Sequence, residues 1–253
     1  MKTHSAVPRR VTPRAPFAAR RRAALLCLFI RSTRSPFDTP EMSLLLLLLL
    51  PSPPQWWRWS IPLQAFFAAI AFFHLSEFLI TARYNRDLLS HRSFLVSRPY
   101  LTAMALGLLE YAAEMQLLGA ERKASSPAAF GAFCAGAALV VLGEALRKTA
   151  MVQAGRAFTH DLQASARTPR VVEHGFYAWC RHPGYLGWMM WAPATQLMLA
   201  NPLACVGFAV AAWRFFAARV PQEERLLLLM YGEAYRSYAR RTPTRMPGIK
   251  GLF

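Results

Sequence analysis

The sequence is poor in cysteine and in acidic residues. Its four cysteines, Cys27, Cys134, Cys180 and Cys205, are scattered, and none has a second cysteine three residues away. This spacing predicts neither a zinc site nor a disulfide framework. Only 13 Asp and Glu residues accompany 30 Lys and Arg residues. Such a positive charge can indicate nucleic-acid binding, but the sequence shows no recognition module of basic and aromatic residues. The positive charge therefore favours contact with an anionic membrane leaflet.

Long apolar runs are the most informative feature that is present. Hydrophobic residues make up 55% of the chain, and several runs approach the length needed to cross a bilayer. We therefore predict an all-α polytopic membrane protein with about five to six transmembrane helices. The alternative is a soluble helical protein with buried core helices. Three spans are predicted at residues 61–81, 94–118 and 127–146, followed by a helical hairpin whose arms, residues 185–200 and 202–217, are separated at Asn201-Pro202.

The N-terminal part differs in composition from the rest. Residues 1–55 are basic and of low complexity, and their leucine run at residues 44–50 is too short to cross a bilayer. Such a composition is typical of a transit peptide or of a disordered basic arm. We predict an N-terminal arm over residues 1–55 and a membrane domain over residues 56–253. That domain begins at an aromatic cluster of the kind found at membrane interfaces, Trp56, Trp57 and Trp59.

The distribution of basic residues predicts the orientation of the membrane domain. Residues 82–93 and 147–182 hold more Arg and Lys than residues 119–126, so we expect these two loops and the C-terminal tail to face the cytosol. The same rule disfavours the far side of the membrane for the basic arm. Either a further span lies within residues 42–60, or the arm is removed or never translated.

Polar side chains recur at helical spacing within the predicted spans. Residues three or four apart share one helix face. We expect these groups to pair with one another and hold the bundle together, and direct contact with a substrate is the alternative. The residues are His74, Glu77, Glu110, Glu114, Glu144, Arg147 and Lys148.

Two polar blocks stand beside the predicted hairpin. Arg181-His182-Pro183-Gly184-Tyr185 precedes its first arm, and Pro183 suits a first helical turn, whose free N–H groups favour an anion. Arg219 and Glu223-Glu224 follow its second arm. A guanidinium can bind a carboxylate with two hydrogen bonds. The alternative is a helix cap, an arginine that reaches to the membrane surface and a solvated acidic pair.

Taken together, these blocks resemble the isoprenylcysteine carboxyl methyltransferase family. The order and the spacing of the blocks make the resemblance specific, and it extends from Phe73 to Gly251. The segments that carry it are Phe73-His74-Leu75-Ser76-Glu77-Phe78-Leu79, Gly143-Glu144-Ala145-Leu146-Arg147-Lys148, Phe158-Thr159-His160, Gly175-Phe176-Tyr177-Ala178-Trp179, Arg181-His182-Pro183-Gly184-Tyr185-Leu186-Gly187-Trp188, Glu223-Glu224 and Gly232-Glu233-Ala234-Tyr235.

The resemblance implies a helical bundle in the endoplasmic reticulum membrane, with a cytosolic cofactor pocket formed by about residues 147–253. It implies methyl esterification of the C-terminal prenylcysteine carboxylate of processed CaaX proteins, such as small GTPases, with S-adenosylmethionine as cofactor. Membrane lipid is the other expected partner, and nucleic acid is not expected. Arg219 is then expected at the substrate carboxylate. The residues expected to bind the cofactor are Gln163, Pro169, Arg170, Val171, Val172, Tyr177, His182, Pro183, Gly184, Tyr185 and Glu223.

The sequence departs from the family pattern in two places. The connection from Gln163 to Tyr177 is one residue shorter than in animal members, and Pro169-Arg170 replace more usual polar residues. The two additional N-terminal spans of the animal enzymes have no clear counterpart, so the expected shape is closer to the shorter fungal type.

The chemistry that the resemblance implies needs no general base. A C-terminal carboxylate has a pKa near about 3.5, so it is ionised at neutral pH. In-line placement of carboxylate and methyl group can contribute about 7–11 kcal/mol. Two related enzyme classes are the alternatives. An NADPH-dependent sterol reductase would carry an upstream Asn-Tyr-x-Gly-Asp stretch, which is absent here, and a phospholipid methyltransferase would lack a segment like residues 146–160.

Overall fold

Helices make up the framework of the protein. A computed structural model describes residues 55–124, 126–162 and 165–253, so the predictions for the N-terminal arm and its leucine run lie outside the described residues. Within these ranges the only strand-like pairing is an isolated bridge between Met246 and Ile249, which confirms the all-α prediction. The helices are α1 (Gln55–Tyr84), α2 (Arg98–Leu118), α3 (Ala120–Ala124), α4 (Pro127–Ala154), α5 (Phe176–Trp179), α6 (Pro183–Met198), α7 (Pro202–Tyr231) and α8 (Glu233–Arg241).

Three helices of the described part are long and apolar enough to cross a membrane, namely Ser60–Tyr84, Pro127–Ala157 and Pro202–Tyr231. Their outer faces carry exposed large apolar side chains, for example Phe72 and Leu79 on α1, as expected for helices in contact with lipid. The first and third predicted spans are confirmed and extend further at their C-terminal ends. The total of five to six spans stays a prediction.

The predicted start of the second span is wrong by one turn. Phe94 belongs to a short 3-10 helix, His91–Phe94, and α2 begins at Arg98. The reason is local, because the Ser97 hydroxyl accepts a hydrogen bond from the Tyr100 backbone N–H at 3.3 Å, and a proline occupies the first turn. This is the usual construction of a helix N-terminus.

The helix that forms the hairpin's second arm is longer than the predicted apolar segment, residues 202–217. The helix does not stop at residue 217 but continues through Pro221 to Tyr231 and ends at Gly232, whose φ is +56°. A proline inside a helix removes one backbone hydrogen bond. The helix nevertheless continues, because Phe216 and Val220, which lie on one face of it before Pro221, pack against the C-terminal tail. Arg219 and Glu223 therefore lie on one continuous helix, four residues apart.

Small residues allow α4 and α6 to approach closely. A Cβ atom added to Gly143 would lie 2.7 Å from the Gly187 carbonyl oxygen, and one added to Gly187 would lie 2.6 Å from the Gly143 carbonyl oxygen. Close backbone approach of this kind is the main way in which helices associate in membranes. Next to this contact, Phe73 of α1 stacks on the fully buried Trp191 of α6 with ring centroids 4.3 Å apart.

The hairpin turn is held by polar groups from α2 and α3. The Glu110 carboxylate accepts hydrogen bonds from the backbone N–H groups of Leu203 (2.8 Å) and Ala204 (2.6 Å), so it caps the N-terminus of α7. Lys123 pairs with Glu114 and donates to the Ala200 carbonyl oxygen at 2.8 Å. The prediction of internal pairing is confirmed for both glutamates, and the pairing fixes where α7 begins.

Candidate functional site

A cavity lies where the connection after α4 meets α6, α7 and α8, and it encloses about 970 Å³ of space when the open solvent at its mouth is included. Several residues that the resemblance assigns to the cofactor line this cavity, although they come from three separate parts of the sequence. The fold brings them together, and their role in binding stays a prediction. These residues are Val171, Val172, Tyr177, His182, Gly184, Tyr185 and Glu223.

The remaining predicted site residues lie elsewhere. Gln163 is outside the described residues. Pro169 and Arg170 are exposed and do not belong to the cavity lining. Pro183 is buried as the first residue of α6 and supports the lining residues that follow it. Arg219 is not on the lining either, but its guanidinium lies directly behind Tyr185.

His182 stands at the N-terminus of α6 with its orientation fixed. Its ring is parallel to that of Tyr185, with centroids 5.5 Å apart, and its Nε2 atom lies 3.1 Å from Glu224 Oε1. A carboxylate only accepts hydrogen bonds, so Nε2 carries the proton in this contact. In the neutral ring Nδ1 is then an acceptor, and it lies 3.9 Å from Glu223 Oε1.

Arg181, which contributes to the lining of the cavity, forms a buried ion pair with Glu224. Arg181 Nε donates to Glu224 Oε1 at 2.8 Å, and its other nitrogens donate to the carbonyl oxygens of Ala239, Thr242 and Lys250. Glu224 also accepts from the Leu252 backbone N–H at 2.6 Å. The pair thereby ties the C-terminal tail to α6 and α7 beneath His182.

Arg219, Tyr185 and Glu223 are connected by one hydroxyl group. The Tyr185 hydroxyl donates to Glu223 Oε2 and accepts from Arg219 Nε at 2.8 Å. Arg219 Nη2 donates to the His160 carbonyl oxygen at 2.5 Å. The guanidinium is further flanked by the rings of Tyr185 and Phe215, with centroids 5.7 and 5.8 Å away. It is therefore a positively charged group of defined orientation beside the cavity.

Several lining residues were not assigned to the site from the sequence, among them Arg167, Thr168, Tyr235 and Tyr238. Arg167 binds both carboxylate oxygens of Asp87, at 2.9 and 2.8 Å, and the hydrogen bond from Arg167 lowers the pKa of Asp87. Thr168, Tyr235 and Tyr238 also line the cavity. Burial raises the pKa values of Tyr235 and Tyr238, so both hydroxyls stay protonated. The Tyr235 hydroxyl is buried and makes no hydrogen bond within the described part of the chain.

A second cavity, of about 610 Å³, lies on the other side of residues 158–161. Phe158, Thr159 and Asp161 contribute to both cavities, whereas His160 lines only the second. The segment is attached to the end of α1 because Asn85 Nδ2 donates to the Phe158 carbonyl oxygen at 2.8 Å. Residues 158–161 therefore form a wall between the two cavities.

Glu77 is the centre of a buried polar cluster beneath this wall. Its carboxylate accepts two hydrogen bonds from Arg147, at 2.5 and 2.9 Å, one from Lys148 at 2.5 Å and one from His160 Nε2 at 2.7 Å. Arg147 also donates from Nη1 to the Gly184 carbonyl oxygen at 3.0 Å. The prediction of internal pairing is thus confirmed here as well, and the cluster joins α1 and α4 to the first turn of α6.

Metal chemistry has no evident site. Within the described ranges, no group of three or more His, Cys, Asp or Glu side chains could hold a metal ion. The polar groups around the cavities instead include a fixed guanidinium, a carboxylate and tyrosine hydroxyls, which suit recognition of a charged organic molecule.

Comparisons with known proteins agree with this geometry. The sequence model of the isoprenylcysteine carboxyl methyltransferase (ICMT) family matches residues 136–229. Protein-S-isoprenylcysteine O-methyltransferase B of Arabidopsis thaliana is 38% identical over 189 residues, which cover 74% of this chain and 93% of the plant protein. The enzyme of Rattus norvegicus is 41% identical over 187 residues, and there the chain spans only 64% of the relative.

A solved structure is similar as well. The eukaryotic intramembrane Ras methyltransferase ICMT superposes with a TM-score of 0.71 at 32% identity, covering 82% of this chain and 72% of that one. The structural match covers more of the chain than residues 136–229, the segment found by the family model. The chain belongs to the isoprenylcysteine carboxyl methyltransferase family.

Proposed function

We propose that this protein transfers a methyl group from S-adenosylmethionine to the C-terminal carboxylate of a prenylcysteine. The main support is the hydrogen-bonded chain from Arg219 through Tyr185 to Glu223. In this chain a guanidinium that can bind a carboxylate lies next to a cavity lined by the Glu223 carboxylate. We further propose that the substrates are processed CaaX proteins such as small GTPases, and that the site faces the cytosol from the endoplasmic reticulum membrane.

The large cavity fits the proposed cofactor. Glu223 offers a carboxylate for hydroxyl or ammonium groups of the cofactor. The Tyr235 hydroxyl, which has no partner within the described residues, supplies a further polar contact on the cavity lining. Leu226, Leu227 and Met230 give it an apolar side that suits an aromatic base. When bound, S-adenosylmethionine supplies an electrophilic methyl group on a positively charged sulfur. Gly184 brings the backbone of α6 to the lining, and Phe158 leaves no space for a Cβ there, since the nearest ring atom would be 3.0 Å away.

Methyl transfer to a carboxylate requires that the two reacting groups are oriented and shielded from water, and it requires no proton transfer. The attacking carboxylate is ionised at neutral pH, because its pKa is near about 3.5. Arg219 donates from Nε and Nη2 to protein oxygens, so part of its hydrogen-bonding capacity is already used and the rest is held in one plane. Such a group can align a carboxylate without rotating towards it. Neutralisation of opposite charges during methyl transfer is favoured in a site shielded from water.

The position of Arg219 suggests where the carboxylate enters. The guanidinium lies behind Tyr185 and against the wall of residues 158–161, not on the lining of the large cavity. We therefore place the prenylcysteine on the Arg219 side of Tyr185 and the cofactor on the Glu223 side. A lipid chain attached to the substrate would leave this region through the membrane, while the cofactor would enter from the aqueous side.

The direct test uses membranes that contain this chain, labelled S-adenosylmethionine and N-acetyl-S-farnesylcysteine. The expected product is a base-labile methyl ester, and N-acetylcysteine without the prenyl group serves as a control that is not methylated. Absence of ester from the farnesylated compound, or methylation of phospholipid in its place, would overturn the proposal.

Two variants test the division of the site. Arg219→Ala is expected to raise the KM for the farnesylated compound more than the KM for S-adenosylmethionine, and His182→Ala is expected to do the reverse. Arg214, which is exposed on the same helix, provides a matched control, and Arg214→Ala should change neither constant. An equal rise of both constants in Arg219→Ala would argue against a role at the carboxylate.

A further inference from the structure

The wall of residues 158–161 contacts Arg219 through the backbone of His160. The His160 carbonyl oxygen accepts from Arg219 Nη2 at 2.5 Å, on the side of the proposed substrate. The His160 side chain points the opposite way and donates from Nε2 to Glu77 Oε2 at 2.7 Å. One residue thus connects a buried carboxylate of α1 with the guanidinium of α7, although Glu77 and Arg219 are far apart in sequence.

Glu77 is well suited to anchor this residue. It is fully buried, and its carboxylate is already fixed by Arg147 and Lys148 of α4. Its position is therefore determined by the helix bundle and not by the wall. The wall, in contrast, belongs to an irregular connection with polar surroundings on both faces. The bond from His160 to Glu77 transmits the rigidity of the bundle to this connection.

We propose that Glu77 and His160 form a positioning pair that orients Arg219 towards the substrate carboxylate. The inference rests on the proposed function and adds two residues to it, neither of which touches the reacting groups. Arg219 donates two hydrogen bonds, one to Tyr185 and one to the His160 carbonyl, and it also contacts the Phe215 ring and Glu223. Loss of the hydrogen bond to His160 releases Nη2, so the guanidinium can turn about its bond to Tyr185. Misplacement of an orienting group by about 1 Å can slow a reaction on the order of 100-fold.

The pair acts on the substrate more than on the cofactor. Arg147 keeps its own bonds to Glu77 and to the Gly184 carbonyl when the His160 side chain is removed. The first turn of α6, where the cofactor residues lie, therefore stays in place. The Glu77 carboxylate also remains paired with two cations, so His160→Ala does not leave an isolated buried charge. These contacts predict a folded variant with a selective defect.

The test compares three variants of the full-length protein in membranes. His160→Ala is expected to raise the KM for N-acetyl-S-farnesylcysteine, or lower kcat with it, on the order of 10-fold or more, with a much smaller change in the KM for S-adenosylmethionine. His160→Gln, whose amide N–H can still reach Glu77, is expected to restore most of the loss. His160→Asn, whose amide is too short, is not.

A half-buried histidine on α1, the helix that carries Glu77, provides the control. His74 bonds to the Tyr100 hydroxyl at 2.8 Å and to the Phe94 carbonyl oxygen but has no connection to Arg219. His74→Ala should leave the ratio of the two KM values as it is in the wild type. If the role of His160 were purely structural, His160→Ala and His74→Ala would have the same ratio of KM values. His160→Gln would then be no more active than His160→Asn.

The outcomes separate the two proposals. If the wild-type protein forms no ester, the proposed function fails and the positioning pair fails with it. If the wild type is active and His160→Ala changes neither constant, or changes both equally, the proposed function stands and the positioning pair is overturned. If His160→Ala does not accumulate, the comparison of His160→Gln with His160→Asn decides in the same way.

Discussion

Replacement of Glu224 by glutamine is expected to destabilise the C-terminal part of the protein strongly. The Glu224 side chain is fully buried and accepts hydrogen bonds from Arg181 Nε, His182 Nε2 and the Leu252 backbone N–H. Glutamine has nearly the same shape but only one acceptor oxygen, and its amide group would face a donor. The variant therefore removes the negative charge and at least one bond without creating a cavity.

The size of the effect follows from these contacts. A hydrogen bond to a charged group contributes about 1.5–3 kcal/mol, so loss or inversion of two such bonds costs about 3–6 kcal/mol. In other proteins, removal of one partner of a buried ion pair lowers the free energy of unfolding by about 3–5 kcal/mol. Arg181 keeps three carbonyl partners, which moderates the loss. We expect a change of about 3–5 kcal/mol in the free energy of unfolding.

Thermal unfolding in detergent, followed by tryptophan fluorescence, measures this change. For a chain of this size, about 3–5 kcal/mol corresponds to a fall in Tm on the order of 6–20 °C. Glu233→Gln is the control, since its side chain is 80% exposed and its partner Arg236 lies 3.3 Å away. Exposed pairs contribute about 0–1 kcal/mol. A fall in Tm for Glu224→Gln no larger than that of Glu233→Gln would refute the assignment of Glu224 as a buried anchor.

Two further predictions concern helix packing and the cavity entrance. Gly187→Ala places a methyl group 2.6 Å from the Gly143 carbonyl oxygen and should lower the free energy of unfolding by about 1–3 kcal/mol. Gly207→Ala, whose methyl group meets nothing within 4 Å, should raise it by about 0.4–1 kcal/mol. Equal Tm values for the two variants would contradict this. Arg167 lowers the pKa of Asp87, so their contact stabilises the entrance above the ordinary carboxyl pKa and is lost as pH falls through the lowered value. The protection factors of the backbone amides near Arg167, which correct for the intrinsic pH dependence of exchange, should therefore fall in acid and, at neutral pH, in Asp87→Asn. Unchanged protection in that variant would contradict the role of the pair.

Local sequence patterns were sufficient for the class of protein and for several helices. Apolar length and positional proline predicted α1, α4 and the start of α6, because these signals depend on neighbouring residues only. Apolar length alone placed the end of the second arm at residue 217, whereas the helix continues to Tyr231, with Phe216 and Val220 packed against the C-terminal tail. Local propensity is weak whenever a long buried face opposes it.

The partition of roles among neighbouring polar residues needed the tertiary structure. Glu223 and Glu224 are adjacent, but successive residues on a helix point about 100° apart, so one faces the cavity and the other is buried beneath it. The family resemblance singled out Glu223, but the order of the residues gives no physical reason for that choice, because the rotation of α7 is set by its contacts with α6 and the tail.

By itself, the sequence determined a membrane-embedded helical protein of a recognisable family, with its polar blocks in a specific order. Only the tertiary structure decided which of those polar groups meet. The His160 side chain bonds to Glu77 and its carbonyl to Arg219, and these partners come from different helices. Contacts between distant residues leave no periodic pattern in the chain, because they depend on how whole helices are placed against one another.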